Sequence, residues 1–158
     1  MPDPVIRRAT VADMPALAAL RREYTEEDGL IADPRADFED AFGETVEGGL
    51  RSGRWVVWVA ELEGTIVSHA FVGTIEEIPR PIAGHRAIGY LTNVYTRPAL
   101  RGRGIGGLVL DAVTGWALES DLELLVVWPS EASVQHYGRH GFADRGEPLV
   151  WLSPVEPS

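Results

Sequence analysis

The chain has 158 residues with 24 acidic side chains, 14 arginines, no lysine and no cysteine, and a formal net charge of −10. That length suits one domain over residues 1–158 with a sizeable core, and the negative charge argues against nonspecific binding to nucleic acid or an anionic membrane. Without cysteine there are no disulfides, thiolate metal sites or acyl-cysteine intermediates; without lysine there is no Schiff base and no P-loop lysine.

No apolar run approaches the roughly 18 residues that span a bilayer, and nothing resembles a signal peptide, so a cytoplasmic location is expected. Val5–Arg8 reads as a short first strand. Thr10 and Asp13 set up a cap for a helix to about Tyr24, with Met14, Leu17, Ala18 and Leu20 inward. A second, acidic helix is predicted from about Arg35 to Leu50. Between Glu23 and Glu47 ten acidic residues accompany the single arginine Arg35. Such a run is either a solvated helix face or a surface for a cationic substrate.

Trp55–Leu62 and Thr65–Ile75 read as antiparallel strands joined by a hairpin turn at Glu63-Gly64. A loop with two prolines follows, then a strand over Ala87–Thr96. Ile105, Leu108, Val109, Ala112, Val113, Trp116 and Ala117 recur at helical spacing and form the cleanest amphipathic helix in the chain. Leu122–Trp128 is a continuous apolar run, which suits a central strand covered on both faces. Pro129-Ser130 opens a short helix stopping at Gly141, and Leu149–Leu152 closes the sheet. The predicted order is β-α-α-β-β-β-α-β-α-β-β: one α/β domain whose mixed, mostly antiparallel sheet is flanked by helices. Trp55, Trp58, Trp116, Trp128 and Trp151 are expected mainly in the core, with lining of a pocket as a second reading for Trp128.

The stretch Thr96–Gly107, TRPALRGRGIGG, lies between a strand and that amphipathic helix. A helix N-terminus offers unpaired N–H groups and a partial positive charge, and glycines let successive amides converge on one anion. Arg101 and Arg103 add donors that match phosphate oxygens. Gly102, Gly104 and Gly107 also satisfy G-x-G-x-x-G, but a dinucleotide site needs the glycines directly after the strand and a carboxylate closing the next one. Here Thr96–Arg101 intervene, and the next strand ends Val127-Trp128-Pro129.

Arg101-x-x-Gly104-x-Gly106, between strand and helix, resembles the R/Q-x-x-G-x-G/A motif of the GNAT superfamily of N-acetyltransferases, which wraps the pyrophosphate of acetyl-coenzyme A. Ser130–Phe142, SEASVQHYGRHGF, resembles the family's N-x-x-A-x-x-x-Y-x-x-x-G-F segment, with Tyr137, Gly141 and Phe142 in register. Ser130 replaces the usual Asn, which commonly touches pantetheine, and Ser133 the usual Ala; a serine hydroxyl replaces that contact only in part.

The resemblance implies a GNAT-type fold and a set of site residues. The pantetheine arm would lie along the strand Val94-Tyr95-Thr96, pairing with the backbone of Val94 and Thr96. A main-chain N–H near Val94 would face the thioester oxygen, and Asn93 stands where such strands bulge. The pyrophosphate would sit on Arg101, Gly102, Arg103, Gly104, Ile105, Gly106 and Gly107, with Ser130 and Ser133 nearer pantetheine. Tyr137, a phenol with an unperturbed pKa of about 10, would be the general acid; its other reading is packing beside Phe142. Glu76, Glu77 and His85 are candidates for the base, whereas His69, inside a strand, reads as a core or hydrogen-bonded histidine. No metal-ligand spacing is present.

The implied reaction is direct transfer of acetyl from acetyl-CoA to a primary amine of a small molecule or peptide in a ternary complex, with no metal. The acidic segment leans towards a cationic acceptor such as a polyamine, aminoglycoside or basic peptide. The alternative is a non-catalytic acetyl-CoA-binding sensor of the same fold. A homodimer, paired through Leu149–Leu152, is a further expectation by analogy.

Overall fold

In a computed structural model, which describes residues 2–30, 37–83, 87–120, 122–146 and 149–152, the sheet is organised around the turn at Glu63-Gly64. Both residues have positive φ, 49° and 77°. This is the backbone twist that a two-residue hairpin needs to match its strands. It joins β2 (Trp55–Leu62) to β3 (Thr65–Glu76). β1 (Val5–Arg8) and β4 (Ala87–Thr96) pair antiparallel on either side, and β5 (Leu122–Val127) pairs parallel to β4, giving the order β1-β2-β3-β4-β5. A parallel pair needs a crossover, which α3 (Ile105–Glu119) supplies.

Helices α1 (Met14–Glu27) and α2 (Phe38–Ser52) cover one face of this sheet. Leu17 and Leu20 of α1 and Val46 of α2 pack there with Val57, Val59, Phe71 and Tyr95. Alternation of side chains turns Trp58, Ala70, Val72 and Leu91 to the opposite face, where α3 lies with Val109, Leu110 and Val113 buried. Arg8 marks that side, its guanidinium 5.7 Å from the Trp58 ring and 5.6 Å from the Trp116 ring. Arg7 ties β1, β2 and the entry to α1 together. It donates to the Asp13 carboxylate at 2.8 and 2.9 Å and to that of Glu61 at 2.7 and 3.0 Å. These hydrogen bonds from Arg7, aided by the Thr10 N–H, hold the Asp13 carboxyl down at about 2.

The chain forms two compact units, Met1–Trp128 and Pro129–Ser158. The first holds the whole sheet and α1–α3; the second holds α4 (Val134–Arg139). Up to α4 the observed order follows the one read from the sequence. The closing strands do not appear among the described residues. Leu149, Trp151 and Leu152 are 98%, 82% and 79% exposed and lie in no ladder. Their run has a strand's composition, but a strand exists only through a ladder partner. Among the described residues β5 is the last strand of the sheet, and Leu124 on it is 45% exposed. Trp128 and Trp151, expected mainly in the core, are exposed.

Trp55 is gripped between two glycines. A methyl group on Gly49 of α2 would overlap its indole, and one on Gly73 of β3 would stand 3.1 Å from it. Gly48, next in the helix, has nothing within 4 Å of the place a methyl would take. Adjacent substitutions should therefore act in opposite directions. Gly49→Ala should destabilise the fold by about 1–3 kcal/mol through overpacking, while Gly48→Ala should stabilise it by up to about 1 kcal/mol through helix propensity. Urea titrations of the two variants check this, and a common sign would refute the packing role of Gly49.

Candidate active site

The site is built where β4 changes partners. β4 runs beside β5 only as far as Leu91, opposite Val127. Along its other side the pairing with β3 skips a residue: Thr92 faces Phe71 and Tyr95 faces His69, so Asn93 and Val94 together oppose Ala70. This is a β-bulge, which bends the strand and leaves one residue out of the ladder. Asn93 takes φ 53°, the left-handed region that Asn tolerates better than most residues. From Thr92 to Thr96, β4 has β3 on one edge and no strand on the other among the described residues.

Side chains hold this half-strand in place of ladder bonds. The carbonyl of Asn93 lies 2.7 Å from His69 Nδ1, and since a carbonyl only accepts, Nδ1 carries the proton. The Asn93 side-chain oxygen accepts from Arg21 of α1 at 3.1 Å. The Ser68 hydroxyl donates to the carbonyl of Tyr95 at 2.9 Å and lies 2.8 Å from the Thr96 hydroxyl. The carbonyl of Thr96 accepts from Arg101 Nε at 2.8 Å.

After Thr96 the chain makes one tight turn at Pro98–Leu100 and reaches Gly102 and Gly104, at φ 75° and 79°. Space is open around both, so what demands glycine is the backbone conformation and not a close neighbour. Gly104 caps α3; its carbonyl accepts the first helical bond, from Leu108 at 3.0 Å. The N–H groups of Ile105, Gly106 and Gly107 fall in the first turn, where no intrahelical acceptor exists. Two left-handed residues leading into bare helix amides form an anion cradle.

Arg101 does not point its guanidinium into that cradle. It makes a two-pronged ion pair with Glu27 of α1 at 2.6 and 2.7 Å and lies over the Tyr95 ring. Arg97 does likewise with Glu23, at 3.0 and 2.8 Å. Hydrogen bonding to Arg101 pulls the Glu27 carboxyl below its usual range, and burial pushes the Tyr95 phenol up. Arg21 has no mark in the sequence, and Glu23 and Glu27 stand out there only as members of the acidic run. One signal was available: Glu23 and Glu27 stand four apart on one helix, as Arg97 and Arg101 do along the loop. The acidic run is thus partly neutralised from within, since Glu39 also pairs with Arg22 and Glu47 with Arg51.

Glu76 ends β3 at an exposed position opposite Ala87. It stands six residues along the strand from Ala70, about 20 Å at the rise of an extended chain. The structure therefore does not bring Glu76 to Asn93; β3 simply runs on past the bulge. Glu77 is paired with Arg80 at 3.5 Å, and His85 lies outside the described residues. In the second unit Tyr137 is buried on α4, its ring 5.4 Å from that of Phe142. The Ser130 hydroxyl donates to that of Ser133 at 3.0 Å, which in turn donates to the Ser130 carbonyl. No group of three or more potential metal ligands occurs among the described residues.

Known proteins resemble this chain in sequence and fold. The model of the acetyltransferase (GNAT) family matches residues 14–142. An aminoglycoside N(6′)-acetyltransferase type 1 from Stenotrophomonas maltophilia is 28% identical over 159 residues, 98% of this chain and 96% of its own. An uncharacterised N-acetyltransferase of Escherichia coli K12, YjgM, is 31% identical over 103 residues, 65% of this chain and 58% of its own. Among solved structures, a predicted acetyltransferase from Clostridium acetobutylicum, crystallised with acetyl-CoA, superposes with a TM-score of 0.78 at 26% identity, covering 94% of this chain and 96% of that one. The chain belongs to the GNAT acetyltransferase family and is an acetyltransferase enzyme of that fold.

His69 is wholly buried, and burial lowers its pKa from 6.5 to about 4. In the unfolded chain the ring takes a proton near 6.5, whereas the native ring stays neutral down to about 4. Between those values the unfolded state binds more protons, so His69 makes the protein lose stability as pH falls from 6.5 towards 4, and contributes no slope above. His69→Asn should flatten the stability profile over that window, as measured by chemical denaturation at each pH. An unchanged slope would contradict a buried neutral imidazole.

Proposed function

We propose that this enzyme transfers acetyl from acetyl-CoA directly to the primary amine of a small cationic acceptor. One observation carries the donor side: a strand edge freed at Asn93 leads, through two left-handed glycines, into the open amides of α3. An extended pantetheine arm adds to such an edge as a strand would, using the backbone of Val94, Tyr95 and Thr96. The diphosphate then meets the amides of Gly104, Ile105, Gly106 and Gly107, with Gly102 shaping the approach and Arg103 adding charge. Arg101 supports the cradle by fixing the loop to Glu27. Ser130 and Ser133 offer hydroxyls to the pantetheine amides.

Chemistry follows from holding the two substrates together. The amine nitrogen attacks the thioester carbon, and the carbonyl oxygen gains negative charge, which the N–H near Val94 stabilises. Collapse of that intermediate breaks the C–S bond. Tyr137 gives its phenolic proton to the leaving sulfur, and the proton shed by the amine is lost through water, from which Tyr137 recovers its own. Tyr137 is favoured for this role by its register in the motif shared with the family.

The acceptor's charge is inferred from the net charge of −10 and from the named activity of the aminoglycoside-acetylating relative. The acidic helices offer one specific support: Asp40 beside Asp37 at the start of α2 pushes the Asp37 carboxyl up, by hydrogen bonding to its protonated form and by charge repulsion. A multiply charged amine would relieve that repulsion.

Calorimetry with CoA and turnover against aminoglycosides, polyamines and basic peptides test the proposal. Gly104→Val should abolish CoA binding while circular dichroism keeps the native signal, because valine resists positive φ. Arg103→Ala should weaken CoA but leave a pantetheine fragment lacking the diphosphate unaffected. Tyr137→Phe should reduce kcat by about a hundredfold with CoA affinity preserved. Normal CoA binding by the valine variant would end the cradle assignment, and full activity in Tyr137→Phe would end the acid's. Failure of any amine to accept acetyl from a protein that binds CoA tightly would instead favour a sensor.

A further inference from the structure

The placement of His69 is better explained by β4 than by packing. It sits in the middle of β3, opposite Val59 on β2 and Tyr95 on β4, with its ring 5.1 Å from that of Phe71. Each of these neighbours is apolar or aromatic, a setting that an apolar side chain usually occupies. Yet an imidazole stands there, and it brings a penalty, since Nε2 is buried without a hydrogen-bond partner. Its other nitrogen lies 2.7 Å from the carbonyl of Asn93.

That carbonyl belongs to the one β-strand residue outside the hairpin turn that adopts positive φ among those described. A non-glycine residue in this region carries a backbone cost, smaller for Asn than for most, and persists where its surroundings hold it. Two side chains do so here, from different elements: His69 from β3 grips the main chain, and Arg21 from α1 grips the side-chain oxygen. Of the two, the main-chain grip has the longer reach, because the peptide that joins Asn93 to Val94 contains both the Asn93 carbonyl and the Val94 N–H. Fixing one end of a planar unit fixes the direction of the other.

We propose that His69 is a positioning residue for acetyl transfer: by holding the Asn93 carbonyl it sets the direction of the Val94 N–H. The inference rests on the reading that this N–H meets the thioester oxygen. His69 touches neither substrate. It acts through the peptide plane, and its buried neutral ring presents an Nδ1–H donor with no competing water.

Three variants test it: His69→Leu, His69→Asn and the double variant His69→Leu/Asn93→Gly. His69→Leu should lower kcat at least about tenfold, as small displacements of a catalytic group do, with the Kd for CoA changed by less than about twofold. His69→Asn, whose side-chain N–H lies near the place of Nδ1–H, should keep kcat within about threefold of the wild type. Glycine at 93 adopts positive φ unaided, so the double variant should recover most of the loss. Melting temperatures of the Leu and Asn variants separate a packing role from a positioning one. Loss of kcat in step with melting temperature in both would overturn the proposal.

A crystal structure of His69→Leu reads the bulge independently of activity, and Asn93 should there leave positive φ. Retention of positive φ in that variant, or wild-type kcat, overturns the proposal whatever the acceptor. If the wild type acetylates no amine, the transfer reading fails, and the φ of Asn93 in His69→Leu alone decides whether His69 holds the bulge.

Discussion

The constraint on which the rest depends is the extra residue in β4. A strand in the middle of a sheet has both edges hydrogen-bonded, and a bonded edge cannot receive a ligand backbone. β4 begins that way, between β3 and β5, and by Thr92 it has parted from β5. The bulge opposite Ala70 bends it at the point of parting. Backbone groups released from a ladder must find partners. His69, Ser68 and Arg101 supply them for the carbonyls of Asn93, Tyr95 and Thr96. These side chains hold in place a half-strand whose other edge carries no strand among the described residues.

The arginines extend the same logic beyond the sheet. Guanidinium groups form planar, two-pronged pairs with carboxylates that an ammonium cannot copy. Glu23–Arg97 and Glu27–Arg101 use this twice, four residues apart on each partner, and so pin the loop before α3 along the side of α1. Partly exposed pairs of this kind add little stability. Their effect is geometric: the loop that presents Gly102 and Gly104 is held at both Arg97 and Arg101, and the helix that holds it also grips Asn93 through Arg21. One helix thus holds both the half-strand after the bulge and the glycine loop before α3.

Much of this was legible in the sequence, for reasons that can be named. The helix from Ile105 showed because its apolar spacing is long and regular; the hairpin showed because Glu63-Gly64 satisfies a backbone requirement written in residue type. Gly102 and Gly104 showed because positive φ selects glycine. Leu149–Leu152 misled because composition reports strand propensity and says nothing of a partner. β5 misled for the related reason that apolar residues on both faces need not mean a strand on both edges. Glu76 was placed by its position at a strand end, and only the length of β3 reveals how far that end lies from the bulge. His69 was read as a core or hydrogen-bonded histidine, and both descriptions hold, but its partner is on another strand and had no local signature.

The division between what was and was not legible has a physical cause. Around the bulge and the glycine loop the arrangement is made by backbone: amides at a helix start, positive φ, a strand edge. Backbone conformation restricts residue type at its own position, so it leaves a local trace. On the side of α1 the work is done by side-chain pairs whose members are 72 or 74 residues apart, such as Arg101 with Glu27. A charge does not announce its partner, and the same glutamate reads as a solvated residue, a substrate contact or half of an internal pair. The acidic run shows this: Glu23 and Glu27, which by charge alone would be candidates for an incoming cation, are spent on the loop. Whatever cation selectivity the enzyme has must come from carboxylates that the arginines do not already hold, and composition cannot separate the two sets.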